Sequence, residues 1–423
     1  MRLVLWHYDL FPTAPGVYLK VFPRRGHRVV WVEGIEGEQR AVRRWEENGV
    51  EHWQLVRRRD VGGWRPLAVV RNRLFKLVGF PQKVRVLWHL ASTRPDALQV
   101  RTLLMEGLIG WLAARRFGVP FFFFFDYPSH ESRLHVWDRT GQSAPAGRLI
   151  AHWWMGWRAF LFRRADLVLT VSDAMGGHLG RSLGIPASKL ATFPVGIDRR
   201  LWEEIGSAPD AAVPGLDPDR PVVAYMGNLD PIREPEFLLD VVERILARVE
   251  TAQFLLIAEV PPGIAKALDA WPPGDRVFRT GFRPRREVMS LLRLADVALF
   301  PLPTRDPYGV FHTSSPLKVV EYLSAGVPVV SSRIPDAESL LRESGGGVAV
   351  ENDVDAFSEA AIRLLEDPER ARAMGQQGRE FVGRHRTFDV LAERVEVAYR
   401  RVLTGERGPE PSPGENEGAR WAS

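Results

Sequence analysis

The sequence predicts an α/β protein made of two parallel-sheet domains that face each other across a cleft. Three observations carry this reading. The chain has 423 residues, too many for one ordinary hydrophobic core. Short apolar runs alternate with helical stretches through both halves, the pattern of parallel strands joined by crossover helices. Between Ser207 and Arg220 the composition turns to Pro, Asp, Gly and Ala, which reads as a linker between the halves.

In chain order, Arg2–Trp6 reads as the first strand, followed by a loop from Asp9 to Gly16, a helical stretch to Gly26-His27, and a second strand at Arg28–Val32. That loop carries no G-x-G-x-x-G, so a dinucleotide fingerprint is absent. Asp96–Val100 reads as strand, Leu103–Phe117 as helix, and Pro120–Phe125 as a phenylalanine-rich strand buried on both faces. Asp166–Val171 is the next strand, with Ser172 and Asp173 capping a helix towards Gly184, and Ala191–Val195 closes the half. The second half offers strands at Pro221–Tyr225, Gln253–Ala258, Arg276–Arg279, Val297–Pro301 and Val327–Val330. Helices fall between them at Glu236–Arg248, Arg285–Leu294 and Pro316–Ala325, and more follow Val354. Residues 405–423 are polar and rich in Pro and Gly, which predicts a disordered tail.

Composition narrows the class. A hydrophobic content of 45% with 26% charged residues describes a folded chain. The absence of cysteine excludes a disulfide framework and thiolate metal sites. The N-terminus lacks the features of a signal peptide and no run is long enough to span a bilayer, so a cytoplasmic location is expected. The formal net charge is only +5, but basic residues crowd Arg57–Arg59, Arg65, Arg71, Arg73, Lys76, Lys83 and Arg85. Trp153, Trp154 and Trp157 lie beside Arg158, Arg163 and Arg164. Basic residues mixed with amphipathic aromatics suit peripheral contact with an anionic membrane, here the inner face of the cell membrane. Nucleic acid and an ordinary Trp-rich core are the competing readings.

In facing parallel sheets, ligands sit beyond the carboxyl ends of the strands, so the loops there are the candidate positions. Thr313–Ser332, T-S-S-P-L-K-V-V-E-Y-L-S-A-G-V-P-V-V-S-S, reads as a capped helix feeding a buried strand. Ser315 suits the N-cap, Pro316 the first helical position, and Gly326 the residue past the end. A helix start offers N–H groups and a positive dipole end to a phosphate. Lys318 and Glu321 are near enough on the helix surface to serve one ligand, and a cation at that end is unfavourable unless an anion sits there. After the strand at 221–225, Gly227 lets backbone approach a ligand and Arg233 can meet a diphosphate. Thr280-Gly281-Phe282-Arg283 can hold a flat base through backbone groups and Phe282. In the first half, Asp126 and His130 follow the phenylalanine strand, and Gly16 follows the first strand; each is a candidate for the acceptor side. Solvated surface pairs and plain turns are the competing readings for each motif alone. No His/Asp/Glu cluster has metal spacing, so catalysis without a bound metal is expected.

Taken in order, G-H-R-V-V-W-V, D-L-V-L-T-V-S-D-A-M, F-P-V-G-I-D-R-R-L-W, G-N-L-D-P-I-R, L-A-D-V-A-L-F-P and S-P-L-K-V-V-E-Y-L-S-A-G-V-P-V-V resemble a GT-B fold glycosyltransferase of family 4 over roughly residues 1–403. The resemblance implies two Rossmann-like domains at 1–205 and 206–385, with a helix at 386–404 crossing back to the first. It implies a retaining transfer from a nucleotide diphosphate-sugar, UDP- or GDP-linked, used as co-substrate with no further cofactor. The acceptor is a hydroxyl on a glycan or lipid-linked intermediate of cell-surface glycan synthesis, and nucleic acid is not a partner. Arg233 and Lys318 would neutralise the diphosphate, Glu321 would bind the ribose, and Gly16 would approach the donor. Gly227, Asn228, Gly281, Phe282, Thr313, Ser314, Ser315, Pro316 and Leu317 complete the expected donor site, and His130 is the acceptor-side candidate. The sequence departs from the family in three places: Thr313 replaces the first glutamate of E-x7-E, Asn228 replaces the common arginine after the glycine, and Phe125-Asp126 replaces a histidine. Asp126 is therefore expected in that catalytic role. The alternative function is a non-catalytic nucleotide-sugar-binding or scaffold subunit.

Overall fold

The computed structural model describes residues 1–7, 13–37, 41–58, 80–141, 145–207, 212–269 and 274–405. Residues 59–79 with most of the basic cluster, residues 8–12 of the loop after the first strand, residues 208–211 of the linker, and the expected tail beyond 405 lie outside the described residues. The described chain forms two sheets. The first has eight strands, β1 (Arg2–Trp6), β2 (Arg28–Gly37), β3 (Ala41–Glu47), β4 (Val50–Arg58), β5 (Ala97–Arg101), β6 (Phe121–Phe125), β7 (Leu167–Thr170) and β8 (Leu190–Thr192), in the order β3-β4-β2-β1-β5-β6-β7-β8. The second has six, β9 (Val222–Met226), β10 (Gln253–Ile257), β11 (Val277–Arg279), β12 (Val297–Phe300), β13 (Val329–Ser332) and β14 (Gly347–Val350), in the order β11-β10-β9-β12-β13-β14. All pairs are parallel except β3 with β4.

The phenylalanine strand shows why a central parallel strand reads as one continuous apolar run. Phe123 and Phe125 meet Phe162 edge-on and tilted at ring distances of 5.2 and 5.1 Å, while Phe122 meets Tyr399 at 4.9 Å and Phe124 stacks on Phe193 at 5.3 Å. Alternate side chains thus fill opposite faces, and none of the five is more than 4% exposed.

The β3–β4 hairpin and β14 are absent from the sequence reading. The hairpin turns through Asn48 and Gly49, with φ of 51° and 76°, the left-handed pair that a tight two-residue turn demands. The Asn-Gly dipeptide was the legible signal. β3 is an edge strand, exposed along nearly its whole length and carrying Arg43, Arg44, Glu46 and Glu47, a composition that discourages pairing with another chain.

The last helix, Phe388–Thr404, does cross back. Its Phe388, Leu391, Ala392, Val395 and Tyr399 belong to the same buried cluster as β1, β5 and β6. The chain therefore passes between domains twice, and the passages lie side by side: the Ile197 amide donates to the Arg386 carbonyl at 2.9 Å, and the Phe388 amide to the Ile197 carbonyl at 2.9 Å.

Candidate active site

Each sheet reverses direction beside its first strand, β1/β5 in one and β9/β12 in the other, and the crevice beyond the carboxyl ends at such a reversal is where a ligand fits. In the second domain the chain leaves β9 through Gly227, whose φ is +139°. A Cβ on Gly227 would stand 1.8 Å from Lys318 Nζ, so only glycine leaves room for that ammonium. Lys318 comes from the Leu317–Ser324 helix, and its Nζ lies 5.6 Å from the centre of the Tyr225 ring. Burial, then the neighbouring Arg233, pushes the Lys318 amine down to about 7. Arg233 follows a short turn after β9 and lies over the Phe311 ring at 5.9 Å; its buried Nε has no hydrogen-bond partner. Two cations held together with a donor to spare form a receptor for an anion.

Glu321 is buried on the same helix as Lys318, and Arg285 Nε lies 2.8 Å from its Oε1. Burial raises the Glu321 carboxyl, and Arg285 and Lys318 oppose the rise. Arg285 heads the helix Arg285–Leu292 and so connects Glu321 to the preceding loop, in which Gly281 has φ +70° and Phe282 is 82% exposed. The structure thus gathers Gly227, Arg233, Lys318 and Glu321, with the Gly281-Phe282 loop joined to them through Arg285. The sequence reading missed Arg285, although it stands just after the loop motif.

Other expected residues are placed differently. Ser315 is not the N-cap and Pro316 is not the first helical residue; Pro316 is the extended residue before the helix. The Ser315 hydroxyl instead donates to Asp336 at 2.7 Å and accepts from the Val195 amide at 3.3 Å. Those tertiary contacts take the place of the local cap. Gly326 does follow the helix end with φ +79°. Ser314 donates to the Phe311 carbonyl at 2.7 Å, and Leu317 opens the helix. Thr313 is buried: its hydroxyl donates to the Gly309 carbonyl at 2.6 Å, and its carbonyl accepts from Ser172 of the first domain at 2.7 Å. Asn228 is exposed, and its carbonyl accepts from the Tyr225 hydroxyl at 3.0 Å.

Gly16 was expected in an open loop but lies in the helical stretch 13–24, where a Cβ would stand 2.2 Å from the Phe388 ring. Its missing side chain makes room for the crossing helix. Asp126 receives Arg101 Nε at 2.9 Å and Nη2 at 2.5 Å on one oxygen and the Thr102 hydroxyl on the other. Both oxygens are engaged within the fold, so the carboxylate expected to take the histidine's role anchors Arg101. His130 begins the helix Ser129–Thr140 at the carboxyl end of β6, with its basicity lowered by burial and then by Arg158. That lowering favours the neutral imidazole, able to accept a proton or hydrogen bond.

The Ser129–Thr140 helix also reaches the second domain. Arg139 pairs with Glu234, Tyr308 donates to Asp138 at 2.5 Å, and His135 Nδ1 lies 3.6 Å from Asp306. These cross-cleft contacts had no signal in the sequence.

Residues 19–196 match the family described as glycosyl transferase 4-like domain, and residues 220–367 the family described as glycosyl transferases group 1. The chain is 25% identical over 311 residues to a D-inositol 3-phosphate glycosyltransferase of Segniliparus rotundus, covering 71% of this chain and 65% of that protein. It is 27% identical over 234 residues to a GDP-mannose-dependent alpha-(1-6)-phosphatidylinositol monomannoside mannosyltransferase of Mycobacterium tuberculosis, covering 54% of this chain and 60% of that protein. Those matches span less than two thirds of each relative's length. In structure it resembles sucrose-phosphate synthase from Thermosynechococcus elongatus, with a TM-score of 0.68, 18% identity, and coverage of 96% and 99% of the two chains. Anabaena HepE in complex with UDP and glucose aligns with a TM-score of 0.61 and 14% identity over 94% of this chain and 98% of that one. The fold and the matched segments together define the GT-B class. The chain belongs to glycosyltransferase family 4.

Proposed function

We propose that the chain transfers a sugar from a nucleotide diphosphate-sugar to a hydroxyl of a glycan or lipid-linked acceptor in cell-surface glycan synthesis, with retention at the anomeric carbon. The observation that carries this is the cationic receptor at the end of β9, where Gly227 admits Lys318 and Arg233 keeps an unpartnered buried Nε. Lys318 and Arg233 would take the diphosphate, Glu321 the ribose, and Phe282 the base face. The acceptor oxygen bonds to the anomeric carbon as the bond to the diphosphate breaks, and the departing diphosphate accepts the hydroxyl proton. Fixed cations beside the leaving group stabilise the charge that develops there. The GDP-mannose-dependent relative and the UDP-bound structural neighbour support both UDP and GDP as donor classes. The relatives named for inositol phosphate and phosphatidylinositol mannoside support a phosphorylated polyol or glycolipid acceptor.

The test is thermal stabilisation by a panel of UDP-, GDP- and dTDP-sugars, followed by product analysis with lipid-linked sugar acceptors. One nucleotide class should raise the midpoint, and Lys318→Ala and Glu321→Ala should each abolish the shift. No shift with any nucleotide would refute the proposal. A second reading, a donor-binding subunit without turnover, rests on Thr313, whose hydroxyl is turned inward to Gly309. Nucleotide binding with no product from any acceptor would favour it.

A further inference from the structure

The helix Pro145–Arg164 is apolar on two opposite sides. Its inner side packs Leu161 and Phe162 into the core of the first sheet and buries Ala151 and the Glu131-paired Arg158 alongside. At 3.6 residues per turn, Leu149, Ile150, Trp153, Trp157, Phe160 and Arg164 fall within about 60° of one line on the outer side. Leu149, Ile150 and Trp153 are 73%, 48% and 55% exposed, and Leu112 on the neighbouring Leu104–Phe117 helix is 44% exposed. The aromatics form a connected row: Trp153 to Trp157 at 5.8 Å, Trp157 to Phe160 at 5.7 Å, and Phe160 to Trp111 at 5.3 Å. Trp154, 4.8 Å from Trp153, links the other end to His130 at 6.4 Å.

Trp111, Trp154 and Phe160 pack partly on the core, but Leu149, Ile150, Trp153 and Leu112 stay uncovered by the fold, so this exposed apolar patch asks for a partner. The surrounding charge indicates which one. At the Trp111 end lies a cavity of about 330 Å³ lined by Arg115, Arg163, Arg164 and Lys189. Arg115 lies over Trp111 at 5.8 Å and Arg164 over Phe160 at 5.3 Å, both solvent-exposed. The one carboxylate lining the cavity, Asp166, accepts the Phe121 amide at 2.8 Å. Apolar and Trp side chains bordered by arginines match the acyl–headgroup boundary of a bilayer rich in anionic lipid.

We propose that this helix face docks the first domain on an anionic membrane surface, with Leu149, Ile150 and Trp153 entering the interface and the Arg115–Arg163–Arg164 cluster meeting lipid phosphates. The row ends beside His130, so docking sets the acceptor side of the cleft next to the bilayer. The experiment is cosedimentation of the full chain with phosphatidylcholine vesicles containing about 30% phosphatidylglycerol, and with pure phosphatidylcholine. The chain should sediment with the anionic vesicles and be released by about 0.5 M salt. Leu149→Glu/Ile150→Glu/Trp153→Glu should lower partitioning at least about tenfold, and Arg115→Glu/Arg163→Glu/Arg164→Glu should do the same for anionic vesicles. Unchanged thermal midpoints and nucleotide-induced shifts would show that both variants fold. Wild-type partitioning by either folded variant, equal binding to neutral vesicles, or no vesicle binding by the wild type overturns the proposal. So does a dimer in vesicle-free sedimentation velocity that the Leu149 variant dissolves, since the face would then belong to a second copy. Nucleotide binding is read separately, so either result leaves the transferase reading to its own test.

Discussion

Lys318 carries the most testable residue-scale property of the site. Its amine is pushed down to about 7, so near neutral pH a large share of the molecules hold it uncharged. A bound diphosphate favours the ammonium and should draw a proton from solution. Calorimetry of the stabilising nucleotide at pH 8, in buffers of differing ionisation enthalpy, should show uptake of up to about one proton, abolished in Lys318→Met. Affinity should accordingly fall as pH rises above about 7. The same shift has a stability consequence. Between the folded value near 7 and the ordinary value of 10.5, the unfolded chain binds more protons, so this residue's contribution makes the ligand-free fold more stable as pH rises. Proton release on binding, or none, would mean that Lys318 does not meet the phosphate. Lys318, Glu321 and Arg233 were legible because a charged side chain at a strand end or helix start needs a partner. Arg285 was not, because its role depends on a contact with a distant helix.

At the scale of elements, the strands and helices read between Pro221 and Val330 followed from apolar runs and their punctuation, with ends shifted by a residue or two, whereas the helices Pro262–Asp269 and Pro335–Ser344 and strand β14 went unread. Where a local rule failed, a contact from another element had displaced it. Ser315 has the chemistry of a cap, yet its hydroxyl bridges Asp336 and the Val195 amide. Gly16 looked like loop because glycine usually marks one, whereas here the Phe388 ring occupies the space beside it. Gly227 offers the sharpest test of an element built for a ligand. Gly227→Ala places a Cβ in a backbone conformation that L-residues rarely adopt and within 1.8 Å of Lys318 Nζ. Strain of this type costs about 1–3 kcal/mol, so denaturant unfolding should register a loss in that range. Displacement of Lys318 should remove the nucleotide-induced shift even at temperatures where the variant remains folded. A variant that binds nucleotide like the wild type would mean that the amine does not need the space the glycine leaves.

At the scale of the molecule, the two domains are joined by a hinge and by contacts across the cleft, and the two differ in strength. The hinge is backbone: Ile197 and the Arg386–Phe388 segment exchange amide–carbonyl bonds, and Gly196 packs so closely that a Cβ would stand 2.3 Å from the Arg386 carbonyl oxygen. The cleft holds buried ties, Ser172 to the Thr313 carbonyl and His135 beside Asp306, and surface ties, Tyr308 to Asp138 and Arg139 to Glu234, the last with side chains 36% and 32% exposed. A screened pair of that exposure is worth about 0.2–1 kcal/mol. Removing it should therefore move the closed–open balance towards open by no more than about fivefold, without unfolding either domain. Arg139→Ala should increase the radius of gyration of the ligand-free protein in small-angle scattering at low salt. Salt alone should enlarge the wild type in the same direction, because ionic screening weakens the exposed pair far more than the buried hydrogen bond. A nucleotide-sugar gripped by both domains should restore compaction in both proteins, because only a ligand with higher affinity for the closed form shifts the balance. An Arg139→Ala protein with the wild-type radius at every salt concentration would assign closure to the hinge and the other cross-cleft contacts, Ser172–Thr313, Tyr308–Asp138 and His135–Asp306, and leave the Arg139–Glu234 pair without a mechanical role.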